Sequence, residues 1–280
     1  MDNGFHNIMI DEIVKNALME DIGTGDVTTL STVAADKTIA GKFIAKESGV
    51  ICGMPVVERV FALMDHSIAL GVLCGDGESV EAGAVIAEIS GRAQPILSGE
   101  RVALNFLQRL SGIATRTRRC VDTVKTTKAR ITDTRKTTPG LRALEKYAVK
   151  TGGGSNHRLG LSDGVLLKDN HIRAAGGIGA AVKAARKNIP HTLKIEVEVE
   201  NEHMVREALD SGADIIMLDN MGIDEIASAV KLISGRALVE ASGNIGDKDL
   251  LTVARTGVDI ISIGALTHTV RAMDISLRFG

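Results

Sequence analysis

Tryptophan is absent from this chain of 280 residues, tyrosine occurs once and phenylalanine five times. The core must therefore be aliphatic, and 44% hydrophobic residues are ample for one or two domains. Scarce aromatics exclude the stacking platforms of a single-strand nucleic-acid binder. An excess of one charge is missing too, since 33 Lys and Arg face 35 Asp and Glu for a net charge of -2, so no basic footprint for nucleic acid exists. Cysteine is sparse: Cys52, Cys74 and Cys120 stand far apart, without metal-site spacing, and read as free thiols in a reducing compartment. No apolar run approaches the ~20 residues of a membrane helix. The opening MDNGFHNIMIDEIV carries acids where a secretory signal needs a basic region and an apolar core. A soluble cytoplasmic protein is expected.

What the chain does have is a concentrated basic stretch. Residues 132 to 171 read TDTRKTTPGLRALEKYAVKTGGGSNHRLGLSDGVLLKDNH, placing Arg135, Lys136, Arg142, Lys146, Lys150, His157, Arg158, Lys168 and His171 among glycine- and proline-marked turns. In a nearly neutral protein this points to a pocket for a small, highly anionic ligand.

Residues 7 to 20 repeat apolar positions at helical spacing. Between about 38 and 97, short apolar runs bounded by glycine alternate with a helix over 56–66, which predicts an α+β domain whose glycines serve turns and bulges. A helix follows from Ser98, a candidate N-cap, to about Thr117. Arg101 would then fall in its first turn, where a cation opposes the helix dipole. Glu100 offers a compensating charge.

From Ala129 the rhythm is regular. Apolar runs begin near residues 129, 164, 193, 214, 237 and 259, separated by amphipathic helical segments. Six strands alternating with helices imply a parallel sheet. Polar groups follow the strands: Arg135 with Lys136, then Lys168, Glu198, Asp219, Ser242 with Gly243, and Gly264. A β/α barrel gathers all such strand ends on one face, whereas a doubly wound sheet gathers only those near its switch point. The prediction is an irregular or incomplete β/α barrel, short of eight strands, behind an N-terminal α+β domain. The domains expected are 1–112, 113–268 and a terminal segment 269–280 returning to the first. In EVEVE the three acids share one face, with Glu198 favoured for chemistry and Glu196 and Glu200 for structure. Asn170 and His171 read as caps of the following helix. Taken alone, Lys168 would also suit a Schiff base.

The motifs TDTRKTTPGLR, GGGSNHRLGL, LLKDNH, EVEVE, IIMLDN, EASGNI and SIGALTH resemble, in order and separation, those of the quinolinate phosphoribosyltransferases. EDIGTGDVTT and ERVALNFLQRLSGIAT extend the resemblance over nearly the whole chain. It implies transfer of phosphoribosyl from phosphoribosyl pyrophosphate to quinolinate with decarboxylation, giving nicotinate mononucleotide, pyrophosphate and carbon dioxide, with Mg²⁺. By the same resemblance Arg135, His157, Arg158 and Lys168 line the quinolinate pocket, and Arg101 is contributed by a neighbouring subunit of a homodimer, which can assemble further. Lys136 and Lys168 suit phosphate as compact charges. Glu198 and Asp219 suit ribose hydroxyls or Mg²⁺ and the developing oxocarbenium charge. Ser242, Gly243, Gly264 and His268 belong to the last loops, where barrels often bind phosphate. The catalytic set is thus Lys136, Lys168, Glu198 and Asp219.

Two departures occur: Asn244 stands where a second glycine is frequent, and Glu200 where aspartate is common. A molybdenum-transport-associated homologue shares part of the pattern, but the intact lysine of LLKDNH argues against it. A non-catalytic sensor of phosphoribosyl pyrophosphate or pyridine nucleotide is disfavoured by the full set of polar groups.

Overall fold

The change of rhythm near residue 129 becomes a change of architecture in the computed structural model, which describes residues 4–243, 245 and 249–280, with residues 4–9 by backbone alone. Asn244 lies outside the described residues. In chain order the elements are α1 (Gly4–Ile22), α2 (Val27–Thr32), β1 (Thr38–Ala45), β2 (Gly49–Val50), α3 (Met54–Met64), β3 (Ala69–Val72), β4 (Ser79–Val80), β5 (Val85–Arg92) and α4 (Ala93–Val124). There follow β6 (Arg130–Thr132), α5 (Arg142–Thr151), β7 (Val165–Leu167), α6 (Asp169–Ala175), α7 (Ile178–Asn188), β8 (Ile195–Val199) and α8 (Glu202–Asp210). The chain closes with β9 (Ile215–Asp219), α9 (Ile223–Ile233), β10 (Leu238–Ser242), α10 (Leu250–Arg255), β11 (Ile260–Ser262), α11 (Ala265–His268) and β12 (Ile275–Phe279). Two compact units result: residues 1–118, 138–152 and 270–280, and residues 119–137 with 153–269. A boundary at residue 112 falls inside the continuous helix α4, and β12 of the terminal segment pairs antiparallel with β1.

The first unit is built on an antiparallel sheet in the order β12-β1-β5-β3. Alternation along β1 buries Phe43 and Ala45, and Phe43 meets Phe61 of α3 edge to face with centroids 6.3 Å apart. Helix α3 starts at Gly53, which has no side chain to cap it. Asp76 supplies the missing acceptor, taking N–H groups of Gly53 and Met54 at 2.9 Å each and the Tyr147 hydroxyl at 2.8 Å.

Helix α4 corrects one expectation. It begins at Ala93 and tolerates Pro95 in its first turn, where no intrahelical N–H is required. Ser98 is therefore not its N-cap; its hydroxyl donates to Asp26 at 3.0 Å. Arg101 lies beyond the first turn, so its supposed conflict with the dipole disappears. Later in α4, Ala114 and Thr117 come so close to Gly152 that an added Cβ would stand 2.5 Å from the Ala114 carbonyl oxygen. The glycine run after α5 is thus both a helix stop and a close packing point.

The second unit holds six parallel strands in the order β6-β11-β10-β9-β8-β7. Successive strands from β7 to β11 are neighbours and wind in one direction, as in a barrel; a doubly wound sheet would reverse. Between β6 and β7 the barrel is open. The extended segment after Gly153 occupies the free edge of β6, where Ser155 forms a parallel bridge with Thr132 and its N–H donates to the Ile131 carbonyl at 2.8 Å. Helices α7, α8 and α9 bury one stripe each, including Ile178 and Val182, Val205 and Ala208, and Ile226 and Ile233. No described helix is long and apolar enough to cross a membrane.

Within the first unit, the wholly buried Glu145 accepts Arg109 Nη2 at 2.5 Å and Arg109 Nε at 3.0 Å. Its other oxygen takes the Thr138 N–H at 3.0 Å. Arg109→Leu should lower the unfolding free energy by about 3 kcal/mol by stranding a buried charge, and adding Glu145→Leu should recover much of it. Urea denaturation of the single and double variants checks this.

Candidate active site

Strand register decides which side chains enter the barrel. Across the sheet, Leu166 pairs with Glu196, Glu196 with Ile215, Glu198 with Met217, Met217 with Glu240, Asp219 with Ser242, and Glu240 with Ile260. Paired residues of a parallel sheet share a face, and every second residue returns to it. One parity thus carries Glu196 and Glu198, Asp219, and Glu240 and Ser242 inward, and lysine at 168 continues that of Leu166. At the C-terminal ends of the strands this parity makes a polar bowl; deeper, Arg130, Thr132, Glu196, Glu240 and Ile260 line a cavity of about 330 Å³.

A corner in the bowl's wall is held by Asp133. Wholly buried, it accepts the His157 N–H at 2.9 Å and the Asn156 side-chain amide at 2.6 Å. His157 and Arg158 are thereby fixed beside β6. The Arg158 guanidinium donates to the Gly164 carbonyl at 2.9 Å. Burial first, and then the neighbouring Arg135 cation, disfavour its charge, while Glu196 and Asp163 favour it. Asp163 closes the turn after Arg158 by accepting the N–H groups of Leu159 and Gly160 at 2.6 and 2.8 Å. Arg135 and Arg158 are thus close enough for their charges to oppose one another.

Three further groupings follow the strand order. At the β7 and β8 ends, Lys168 Nζ meets Glu198 Oε2 at 2.7 Å. His171 accepts the Lys168 N–H at 3.1 Å and so caps α6. At the β9 and β10 ends, Asn220 donates to Asp219 at 2.8 Å and its N–H to the Ser242 carbonyl at 3.1 Å. Asn220 adopts φ 57° and Gly243 φ 82°, and a Cβ on Gly243 would collide with the Asn220 side chain. At the β6 and β11 ends, Lys136 and His268 converge on Gly264: a Cβ there would lie 3.0 Å from Lys136 Cδ and 3.2 Å from His268 Cδ2. The Thr267 hydroxyl donates to the Lys136 carbonyl at 2.8 Å and ties the two loops together.

The comparisons with known proteins meet this geometry. Residues 26–111 match the model of the quinolinate phosphoribosyl transferase N-terminal domain, and residues 113–278 that of its C-terminal domain. The chain belongs to the quinolinate phosphoribosyltransferase family. It is 45% identical over 97% of its length to a probable nicotinate-nucleotide pyrophosphorylase (carboxylating) of Bacillus subtilis, covering 94% of that protein. A protein with the same description from Synechocystis is 48% identical over 97% of this chain and 92% of its own. The solved nicotinate-nucleotide pyrophosphorylase of Francisella tularensis superposes with a TM-score of 0.94 at 42% identity, covering 98% of this chain and 97% of its own.

Of the residues expected from the sequence, the second unit brings Arg135, Lys136, His157, Arg158, Lys168, Glu198, Asp219, Ser242, Gly243, Gly264 and His268 to the strand ends and loops just described. Arg101 belongs to the first unit and is exposed on α4. Three residues escaped sequence reasoning: Asp133, Asn156 and Glu240. Their signal was faint. Asp133 falls two positions before Arg135 in a family motif, and Glu240 is the one acid in an otherwise apolar strand.

Glu196 and Glu240 are buried together beneath the bowl. The Glu240 carboxyl is pushed up to about 7 by burial and by the charge of Glu196, with His157 acting oppositely. In the unfolded chain a glutamate ionises near pH 4.3, so between there and about pH 7 the folded state binds the extra proton, and stability is lost as pH rises through that window. Glu240→Gln cannot ionise. Relative to the unsubstituted protein it should gain about 2–3 kcal/mol of unfolding free energy between pH 5 and pH 8, measured by urea denaturation. Parallel pH profiles would contradict the assignment.

Proposed function

We infer that the chain catalyses phosphoribosyl transfer from phosphoribosyl pyrophosphate to quinolinate with loss of carbon dioxide, a step of NAD biosynthesis. The observation that carries this reading is that Arg135 and Arg158 lie close enough for their charges to oppose one another, in a chain of this family. Two adjacent ring carboxylates need fixed, planar donors, and two guanidiniums supply them in bidentate form. Lys136 and His268, converging on Gly264, suit a phosphate of the sugar donor, and Ser242 and Gly243 a second anionic group. Glu198 and Asp219 lie on one inward face of adjacent strands, each with an oxygen already held by a neighbour. They fit ribose hydroxyls or Mg²⁺, which is bound by one or two carboxylates together with substrate phosphates. When bound, the ion offsets charge on the departing pyrophosphate.

The ring nitrogen attacks the anomeric carbon as the bond to pyrophosphate breaks, and the carboxylates of Glu198 and Asp219 stabilise the positive charge developing on the sugar. With the nitrogen quaternised, the adjacent carboxylate leaves as carbon dioxide. The electron pair stays on ring carbon next to the cationic nitrogen and then takes up a proton. The protein's contribution is positioning and electrostatics. Lys168, paired with Glu198 before substrate arrives, exchanges that partner for an anion of the substrates. Arg101 completes the quinolinate pocket from a second copy of the chain, which makes a homodimer the working unit. The free cysteines fit the reducing cytoplasm.

A turnover assay with quinolinate, phosphoribosyl pyrophosphate and Mg²⁺ should give nicotinate mononucleotide and carbon dioxide in equal amounts. No product from quinolinate, or equal turnover of nicotinate, would sink the reading. Arg101→Ala mixed with Lys136→Ala should regain part of the activity each lacks, because a hybrid dimer carries one intact site. Absence of recovery despite demonstrated subunit exchange would refute the shared site.

A further inference from the structure

Beneath the bowl, His157 turns its ring into the barrel rather than toward the mouth. Its Nε2 lies 3.2 Å from Glu196 Oε2 and 3.7 Å from Glu240 Oε1. Its Nδ1 accepts the Arg158 backbone N–H at 2.8 Å. A backbone N–H can only donate, so Nδ1 carries no proton and Nε2 does. The ring is therefore a bracket between the turn above and the acids below.

The three groups place donor atoms within 4.8 Å of one another, a spacing that would suit a divalent ion. The tautomer argues otherwise, because a protonated Nε2 has no lone pair for a metal, and a metal-bound histidine donates its other N–H rather than accepting there. The acids also keep one oxygen each, Glu196 Oε1 and Glu240 Oε1, buried without a hydrogen-bond partner among the described residues. Such a pair is costly to bury. Its retention inside a barrel that could be packed with aliphatics calls for a role.

We propose that Glu196 and Glu240 are positioning residues for the quinolinate pocket: from inside the barrel Glu196 anchors His157 Nε2–H while Glu240, packed beside the same ring, keeps that carboxylate in place, and through its Nδ1 the ring fixes the His157–Arg158 corner that aims the Arg158 guanidinium. The proposal rests on the functional reading above. Asp133 holds the same corner through the His157 N–H, so the backbone is fixed by Asp133 and the ring by Glu196, with Glu240 beside it. Glu196 has a second part, since its charge favours the Arg158 cation against the repulsion of Arg135. Among the described residues, the phosphate-side groups at Lys136, Gly264 and His268 make no hydrogen bond or ion pair with the acids. Disturbing the acids should therefore affect one substrate and spare the other.

The test is steady-state kinetics of the full-length protein, varying each substrate against the other, for Glu196→Leu, Glu240→Leu, Glu196→Gln and Glu240→Gln. Each leucine variant should raise KM for quinolinate about tenfold or more, the scale of one misplaced charge-assisted hydrogen bond, with KM for phosphoribosyl pyrophosphate and kcat changed less than about threefold. Glu196→Gln keeps an oxygen for Nε2–H, Glu240→Gln keeps a polar group of the same shape beside it, and each should recover most of the lost quinolinate affinity. Equal rises in both KM values, an unchanged quinolinate KM, or no rescue by glutamine would overturn the proposal. Activity of the unsubstituted protein with quinolinate tests the underlying reading separately. Should a leucine variant fail to fold, the ring tautomer decides: nitrogen NMR of the unsubstituted protein should show His157 protonated at Nε2, and a proton on Nδ1 instead would overturn the bracket.

Discussion

Two like charges held side by side are the constraint on which this molecule turns. Burial disfavours the Arg158 charge, and the neighbouring Arg135 cation adds to that cost. Left alone, flexible cations would separate into water. Here the Arg158 N–H is held by the ring of His157, whose own N–H is accepted by Asp133; the Arg158 guanidinium is held by the Gly164 carbonyl, and its charge is favoured by Glu196 and Asp163. In the proposed function the protein bears this electrostatic cost before substrate arrives, and a dianionic ligand would relieve it.

The barrel makes this arrangement economical. A parallel register with a period of two delivers lysine, glutamate, aspartate and serine from adjacent strands to one face without any long excursion of the chain. The opening between β6 and β7 is used rather than closed: the segment carrying Ser155, His157 and Arg158 runs along the free edge of β6 and turns the His157 ring into the barrel. An extra regular strand there would pair the edge but would have no room for that corner.

Much of the architecture was legible in the sequence because buried parallel strands are continuous apolar runs between glycines, and amphipathic helices such as Ile223–Ile233 keep one apolar stripe. The start of α4 was hidden, since Ala93, Gln94 and Pro95 carry no cap signal while Ser98, a false one, stands just downstream. Helix α6 was hidden because none of its residues is buried, so no stripe marks it. The mouth residues could be read from strand ends and family motifs. The acids below them could not be placed: alternation in IEVEV looks like a strand with one face in water, whereas a barrel encloses that face, and only their convergence on His157 shows that Glu196 and Glu240 meet.

The central claim is that paired guanidiniums read two adjacent carboxylates. Calorimetric titration of quinolinate and of nicotinate into the unsubstituted protein and into Arg158→Met tests it most directly. The account predicts that quinolinate binds the unsubstituted protein about a hundredfold tighter than nicotinate, as expected for one additional carboxylate held by charged donors, and that the preference collapses in the variant. Equal affinity for the two acids, or a preference that survives loss of the Arg158 guanidinium, would contradict it.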